Sequence, residues 1–359
     1  VDTANFTEAN LAGADFAGTR LTKAIFAKTK LAGANLSSAD CSRVQLSGLD
    51  LTETNFSWAI LAKAKLDQAD LSGANLHRAD LSGANLSGAT LSNADLSEAN
   101  LEGADLSGAQ MEQADLSNAN LGGAILTNAK LVRAKLAGSK LQRAAMTGTD
   151  MRLADLADTD LSGANLEGAT LREAVLSKAI MVGARLAGAD MQRAVMPKVN
   201  LTDANLTTAR MQNTDLRGAC LDKATLTQSD LTGAHLEEAS LQKARMNGVI
   251  LADANLSGAK LTDADMTGAK APAAQFPDAS LQNVVLADAD LSRCVLRGAN
   301  LTGVQITNSS LAGAEISGAD FSWASIEKAD FTQVKLGGTT MRGAKLIDVK
   351  GVKMRKKEH

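Results

Sequence analysis

A large apolar residue returns at every fifth position of this chain. Phe6, Leu11, Phe16, Leu21 and Phe26 start the series, which keeps phase to Leu346 without an insertion or deletion. Only Cys41 and Ala271 within it are not Leu, Ile, Met or Phe. All 7 Phe and all but one of the 11 Met belong to it, the exception being Met354. We call these positions the centres. Two places before a centre the residue is small, nearly always Ala, with occasional Thr, Ser, Val or Cys, as at Ala9, Thr29, Ala104, Val199 and Cys294. Leu49 is the one large exception. Between them sits a polar residue, often Asp or Asn, as at Asp15, Asn35, Asp155 and Asn300. Small, polar, large is an in–out–in alternation of period two, which predicts a three-residue strand.

The other two positions predict a corner. All but three of the 30 Gly stand two places after a centre, and all 3 Pro (Pro197, Pro272 and Pro277) stand one place after. Proline at the first central residue and glycine at the second specify a type II turn, because proline presets a negative φ and glycine accepts the positive φ that follows. A period of five matches neither a helix nor a coiled coil. Every corner is equivalent, so the chain keeps turning the same way. That leaves a solenoid whose coils stack by parallel strand pairing.

The Ala-Asp/Asn-Leu-x-Gly pattern, clearest in Ala69-Asp70-Leu71-Ser72-Gly73 and Ala79-Asp80-Leu81-Ser82-Gly83, resembles the pentapeptide-repeat proteins. The resemblance covers Ala4 to about Val349. It implies an all-β fold, a right-handed quadrilateral parallel β-helix with four pentapeptides per coil. About 17 coils then stack to roughly 80 Å at the spacing of paired strands. On this reading residues 1–349 are one uninterrupted repeat domain and 350–359 a disordered basic tail. Ala271 is too small for a centre, so a local irregularity is expected over Lys270 to Ser280, with Phe276 filling the gap. Val1 to Asn5 enter the repeat without a cap. That end is expected to meet a neighbouring domain or a second copy, or else to be an irregular first coil.

Composition narrows the function. Aromatics are 3% and Tyr is absent, yet 45% of residues are apolar, enough to bury a core. The net charge of −3 nominates neither nucleic acid nor membrane, and no apolar run approaches the ~18 residues of a span. His77 and His235 would lie about eight coils, or ~38 Å, apart at the strand spacing. Cys41, Cys220 and Cys294 are likewise several coils apart, so neither a zinc set nor a disulfide is expected. Asp and Ser abound, but on the outside of a convex body with no insertion to wall a pocket. No cofactor, metal, small-molecule substrate or catalytic activity is expected.

Departures from the repeat are the candidate contacts. Asp67 to Asp115, including Asp70 and Asp95, is an acidic run whose single base is Arg78. Lys130, Lys135 and Lys140 follow as a basic belt, with Arg133 and Arg143. The belt and run read either as two contact sites or as uneven charge on a solvated surface. Trp58 and Trp323 occupy corners usually held by Gly. They read as interface anchors or as rings laid flat over a neighbouring corner. The expected role is a non-catalytic scaffold that binds a protein partner, as in repeat-bearing adaptors or effectors of bacterial secretion systems. The expected setting is bacterial cytoplasm, with secretion left open. Some members of the family mimic DNA and protect DNA gyrase from inhibitors. The near-balanced charge departs from that alternative.

Overall fold

The computed structural model describes residues 1–352. Their backbone is a parallel ladder in which outward residues pair, with few exceptions, with those 20 positions later, as in Asn75↔Asp95 and Asp95↔Asp115. Twenty residues are four pentapeptides, so each coil has four sides. Val1–Asp190 and Met191–His359 form two compact units; the same register runs within each. Residues 353–359 of the expected tail, His359 among them, lie outside the described residues.

The expected type II corner is present. The residue two places after the centre has positive φ at every corner from Lys28 to Asp348, and at most of them the next amide closes the turn onto the centre, as in Ala74 N–H to Leu71 O at 3.0 Å. Glycine is not required: Lys, Arg, Glu, Asn and Asp fill many of these sites.

The expected three-residue strand is shorter. Most sides hold a single bridged residue, because the turn begins at the centre itself. Among the described residues, three-residue strands form on one face of the second unit only. There β1 (Val285–Ala287), β2 (Gln305–Thr307), β3 (Ser325–Glu327) and β4 (Lys345–Ile347) pair in parallel in chain order. At the first of these corners the Ser309 hydroxyl inserts, accepting the Ala289 N–H at 2.9 Å and donating to Leu286 O at 2.8 Å.

The core is two layers deep in sequence terms: centres and small positions are buried almost throughout, from Leu21 to Phe331. The irregularity expected over Lys270 to Ser280 is absent. Lys270 and Gln275 keep their bridges on both sides, and Ala271 and Phe276 are fully buried and close normal turns. Proline costs nothing at the first corner position, since its φ already fits there. The backbone ladder, not the size of one centre, holds the register.

Candidate functional site

All five amides of a repeat are accounted for, and the accounting explains the acidic run. In the repeat around Leu71, Asp70 N–H goes back one coil to Leu49 O (2.9 Å), and Leu71 and Gly73 donate forward to Thr90 O (2.7 Å) and Ser92 O (3.0 Å). Ala74 closes the turn. The fifth amide, Ser72 N–H, is taken by the Asp70 side chain at 3.0 Å, which also accepts from the Ser72 hydroxyl. Asp95 serves Ser97 in the same way (2.9 Å), and Asp115 serves Ser117 (3.0 Å). Asn does so as well, as Asn75 for His77. The frequent Asp or Asn before a centre is therefore the acceptor of an Asx turn. A sequence signal for this existed. The residues two places before Pro197, Pro272 and Pro277 are Val195, Lys270 and Gln275, none of them Asx, and a proline has no amide to cap.

Asx side chains also stack between coils. Asn100 donates to Asp80 (2.9 Å) and Asn120 to Asn100 (3.1 Å), while Asn35 donates to Asp15 (2.9 Å) and Asn55 to Asn35 (3.2 Å). These ladders add side-chain bonds to the backbone ones along a face.

The basic belt is not an isolated cationic ring. Lys130, Lys135 and Lys140 stand on three successive faces, and each has an aspartate one coil later, at Asp150, Asp155 and Asp160. Lys135 also bonds Asp115 above it, Nζ to Oδ2 at 3.2 Å. Asp95, Asp115 and Lys135 thus share one face, and Asp70 stands on the face of Lys130. Such exposed pairs contribute little stability; here they disperse the belt's charge.

Several carboxylates are held below the ordinary range. For Asp160, partial burial raises the pKa, but the Ser162 hydroxyl and amide and the Gln142 amide outweigh it. Asp230 is alike, with Thr232 and Gln212. At Asp215 the Arg217 guanidinium is the largest influence. A carboxylate depressed on folding stabilises above its unfolded pKa of about 3.9, and that contribution fades as pH falls through the folded value. Urea unfolding stability is expected to be flat above about pH 5 and to fall below about pH 4. Asp160→Asn, which keeps an acceptor for Ser162 but loses the charge and the acceptor for Gln142, is expected to lower stability at neutral pH and to make the acid limb shallower, so that the two chains converge as pH falls.

The two tryptophans are exposed. Trp58 is 54% accessible and Trp323 64%. Each is tied on one side to the corner of the next coil. The Arg78 guanidinium carbon lies 4.7 Å from the Trp58 ring centre, His77 meets that ring edge-on, and Arg78 is paired to Glu98 at 2.6 Å. Trp323 lies over Gly343, in the space a side chain there would fill. Each ring covers a corner, as the second of the two sequence readings expected, and each tryptophan is still more than half exposed. Sequence reasoning missed Ile60, 43% exposed and two residues from Trp58. Its signal was an aliphatic residue at an outward position, between Asp40 and Asp80 on its face. Trp58, Ile60 and Arg78 form an amphipathic patch on the first unit.

Chemical machinery is sparse. Burial, then neighbouring carboxylates, pushes the Cys41 and Cys294 thiols up to about 12, which makes them poor nucleophiles. Among the described residues no group of three His, Cys, Asp or Glu could hold a metal ion, and no helix is long and apolar enough to cross a membrane.

The four-sided register is matched by sequence. The family model for pentapeptide repeats (8 copies) matches segment after segment, from 4–37 to 314–350. The chain belongs to the pentapeptide-repeat family. Members fold as right-handed quadrilateral β-helices, which is the fold of this chain. Similar solved structures include HetL, a pentapeptide-repeat protein involved in heterocyst differentiation regulation from the cyanobacterium Nostoc, at 28% identity over 64% of this chain and 88% of that one (TM-score 0.28). A pentapeptide-repeat protein of the Arabidopsis thaliana thylakoid lumen is 36% identical over 30% of this chain and 71% of its own (TM-score 0.23). QnrB1, a plasmid-mediated fluoroquinolone resistance protein, is 18% identical over 52% of this chain and 91% of its own (TM-score 0.34). No curated protein matches the sequence. The family is generally structural or protein-binding, and this member is a repeat scaffold.

Proposed function

We propose that this pentapeptide-repeat scaffold is a non-catalytic interaction protein that grips a protein partner through exposed aromatic corners, Trp58 foremost. The observation that carries the reading is the patch of Trp58, Ile60 and Arg78. Tryptophan and arginine are the residues that most often dominate binding energy at interfaces. Here Trp58 and Arg78 are each fixed by their own amides, which donate to His77 O and Ser97 O of the next coil, so little ordering is needed on association. Trp323 is a second anchor on the second unit. A bacterial adaptor, cytoplasmic or secreted, fits this use. DNA mimicry would ask for a continuous acidic face. Asp70, Asp95 and Asp115 instead share their faces with Lys130 and Lys135, which breaks up the negative surface and favours the protein-binding reading.

Trp58→Gly tests it. Glycine suits the positive φ of this corner (+60°), so the variant is expected to match wild-type thermal stability closely. Capture from an extract of the source cells, quantified by mass spectrometry, is expected to lose its principal partner by about thirtyfold, as removal of a ~2 kcal/mol anchor requires. An unchanged capture profile for both Trp58→Gly and Trp323→Gly would exclude the aromatic corners as the binding surface.

A further inference from the structure

The ladder of the first unit is interrupted at one place. Ile25 bridges Asn5 on one side but not Gln45 on the other, and Lys30 bridges Asn10 but not Asp50. The amides of Phe26, Lys28, Leu31, Gln45 and Asp50, which this register would send across to the adjacent coil, make no backbone bond there. Pairing resumes within two residues: Gly33 N–H reaches Thr52 O at 2.8 Å and Leu36 N–H reaches Asn55 O at 2.7 Å. The faces of Asn35 and Asp40 remain bridged to Asn55 and Ile60. Two adjacent sides of one coil boundary are therefore open and the other two closed.

The sequence contains the cause. In the 20-residue register, Thr29 and Leu49 occupy consecutive levels of one column of small positions, above Ala69. Ala24 and Val44 do so in the neighbouring column. A leucine beneath a threonine demands more height than the alanine pairs elsewhere, and the two sides that carry the excess volume are the ones that part. Overfilled cores move backbone in this way. A cleft of about 260 Å³ marks the place, lined by Ile25, Phe26, Lys28, Gln45 and Leu49 among others. Ala24 and Leu49 are each 8% accessible, where small positions deeper in the unit are at or near zero. The corner leading into the gap departs too: Lys23 is not among the positive-φ residues, and its amide turns away to Asp2 Oδ1 at 3.3 Å.

We propose that this boundary is a joint, at which the coil of residues 21–40 opens and closes against that of 41–60 on the Ile25 and Lys30 sides. The hinge is the pair of closed faces at Asn35 and Asp40, pinned by the buried Thr54 hydroxyl on Leu31 O at 3.1 Å. The other coils of the first unit are joined on all four sides, so flexing within it concentrates where two are already unpaired. The first two coils can then tilt as a body without unfolding.

Amide hydrogen exchange on the full chain decides this. Phe26, Lys28, Leu31, Gln45 and Asp50 are expected to exchange at least about a hundredfold faster than Leu36, Ser38, Cys41 and Asn55 around the same coils. Leu49→Ala restores the residue type found at Ala9 and Ala69 in the same column. It is expected to slow the five fast amides by at least about tenfold and to leave the slow ones unchanged. Thr29→Ala relieves the same stack from the other side and serves if Leu49→Ala misfolds. Equal protection of both sets in the wild-type chain would overturn the joint. So would a folded Leu49→Ala or Thr29→Ala chain in which the five amides stay fast.

Discussion

Leu116→Asp is expected to remove about 5 kcal/mol or more of stability at neutral pH and to unfold the coils around it. Leu116 is fully buried, and its neighbours in the same column of centres, by the register Asp95↔Asp115↔Lys135, are Leu96 and Leu136. A leucine's burial is worth about 1.5–3 kcal/mol, and an uncompensated buried charge costs about 3–5 kcal/mol more. No base can reach the interior, because every Lys and Arg of the adjacent coils stands at an outward position or a corner. The loss therefore rivals the whole stability of an ordinary domain, about 5–15 kcal/mol. In a solenoid each coil depends on its immediate neighbours, so the damage is expected to be local. Urea unfolding followed by circular dichroism should show an early phase that the wild-type chain lacks. Leu116→Met is the control, expected to cost less than about 1.5 kcal/mol, since methionine already serves as a centre at Met111 and Met151. A loss under about 2 kcal/mol for the aspartate would mean that the interior admits water or a counter-charge.

Gly108→Val is expected to cost about 1–2 kcal/mol, and Gly108→Asn well under half of that. Gly108 has φ +65°, and a Cβ there would meet nothing within 4 Å. Space is free, so the difference isolates backbone conformation. The chain has performed a version of this experiment. Its non-glycine corners hold Lys, Arg, Glu, Gln, Asn and Asp in number, with Thr208 the one β-branched residue among them and no Val or Ile. Equal stabilities of the Val and Asn variants by the same urea titration would show that the corner relaxes out of the left-handed region.

Much of this fold was legible because its determinants are local and repeated. The period of five, the small and large positions and the corner chemistry are each set within one repeat, and they recur often enough to average out exceptions. The proline and glycine placement named the turn correctly. The strand length came out shorter than the alternation implied, because Leu71 both ends a side and starts a corner, and one residue cannot be extended and turning at once. The expected defect at Ala271 failed for a related reason: a backbone paired on both sides does not yield to one undersized side chain. The defect that does exist, between Ile25 and Gln45, arises from two oversized residues stacked 20 positions apart. Thr29 and Leu49 each look tolerable in a linear reading.

The candidate contacts divide in the same way. Trp58 and Trp323 stood out in the sequence because tryptophan is costly at a corner meant for glycine. Ile60 and Arg78 joined Trp58 only through the fold, Ile60 by facing outward and Arg78 by lying one coil away. The acidic run and basic belt looked like blocks in the linear sequence. Stacking sets Lys135 against Asp115, and Lys130 and Lys140 beside Asp150 and Asp160. The sequence by itself determined the repeat, its strand-and-corner grammar and which side chains face inward, since those follow from steric and solvation preferences within five residues. The tertiary structure decided what each coil meets in the next: which charges neutralise one another, which aromatic ring finds a cation, and where two stacked side chains force the ladder apart. Those outcomes depend on contacts a full coil apart, where the linear order carries no sign of which residues will touch.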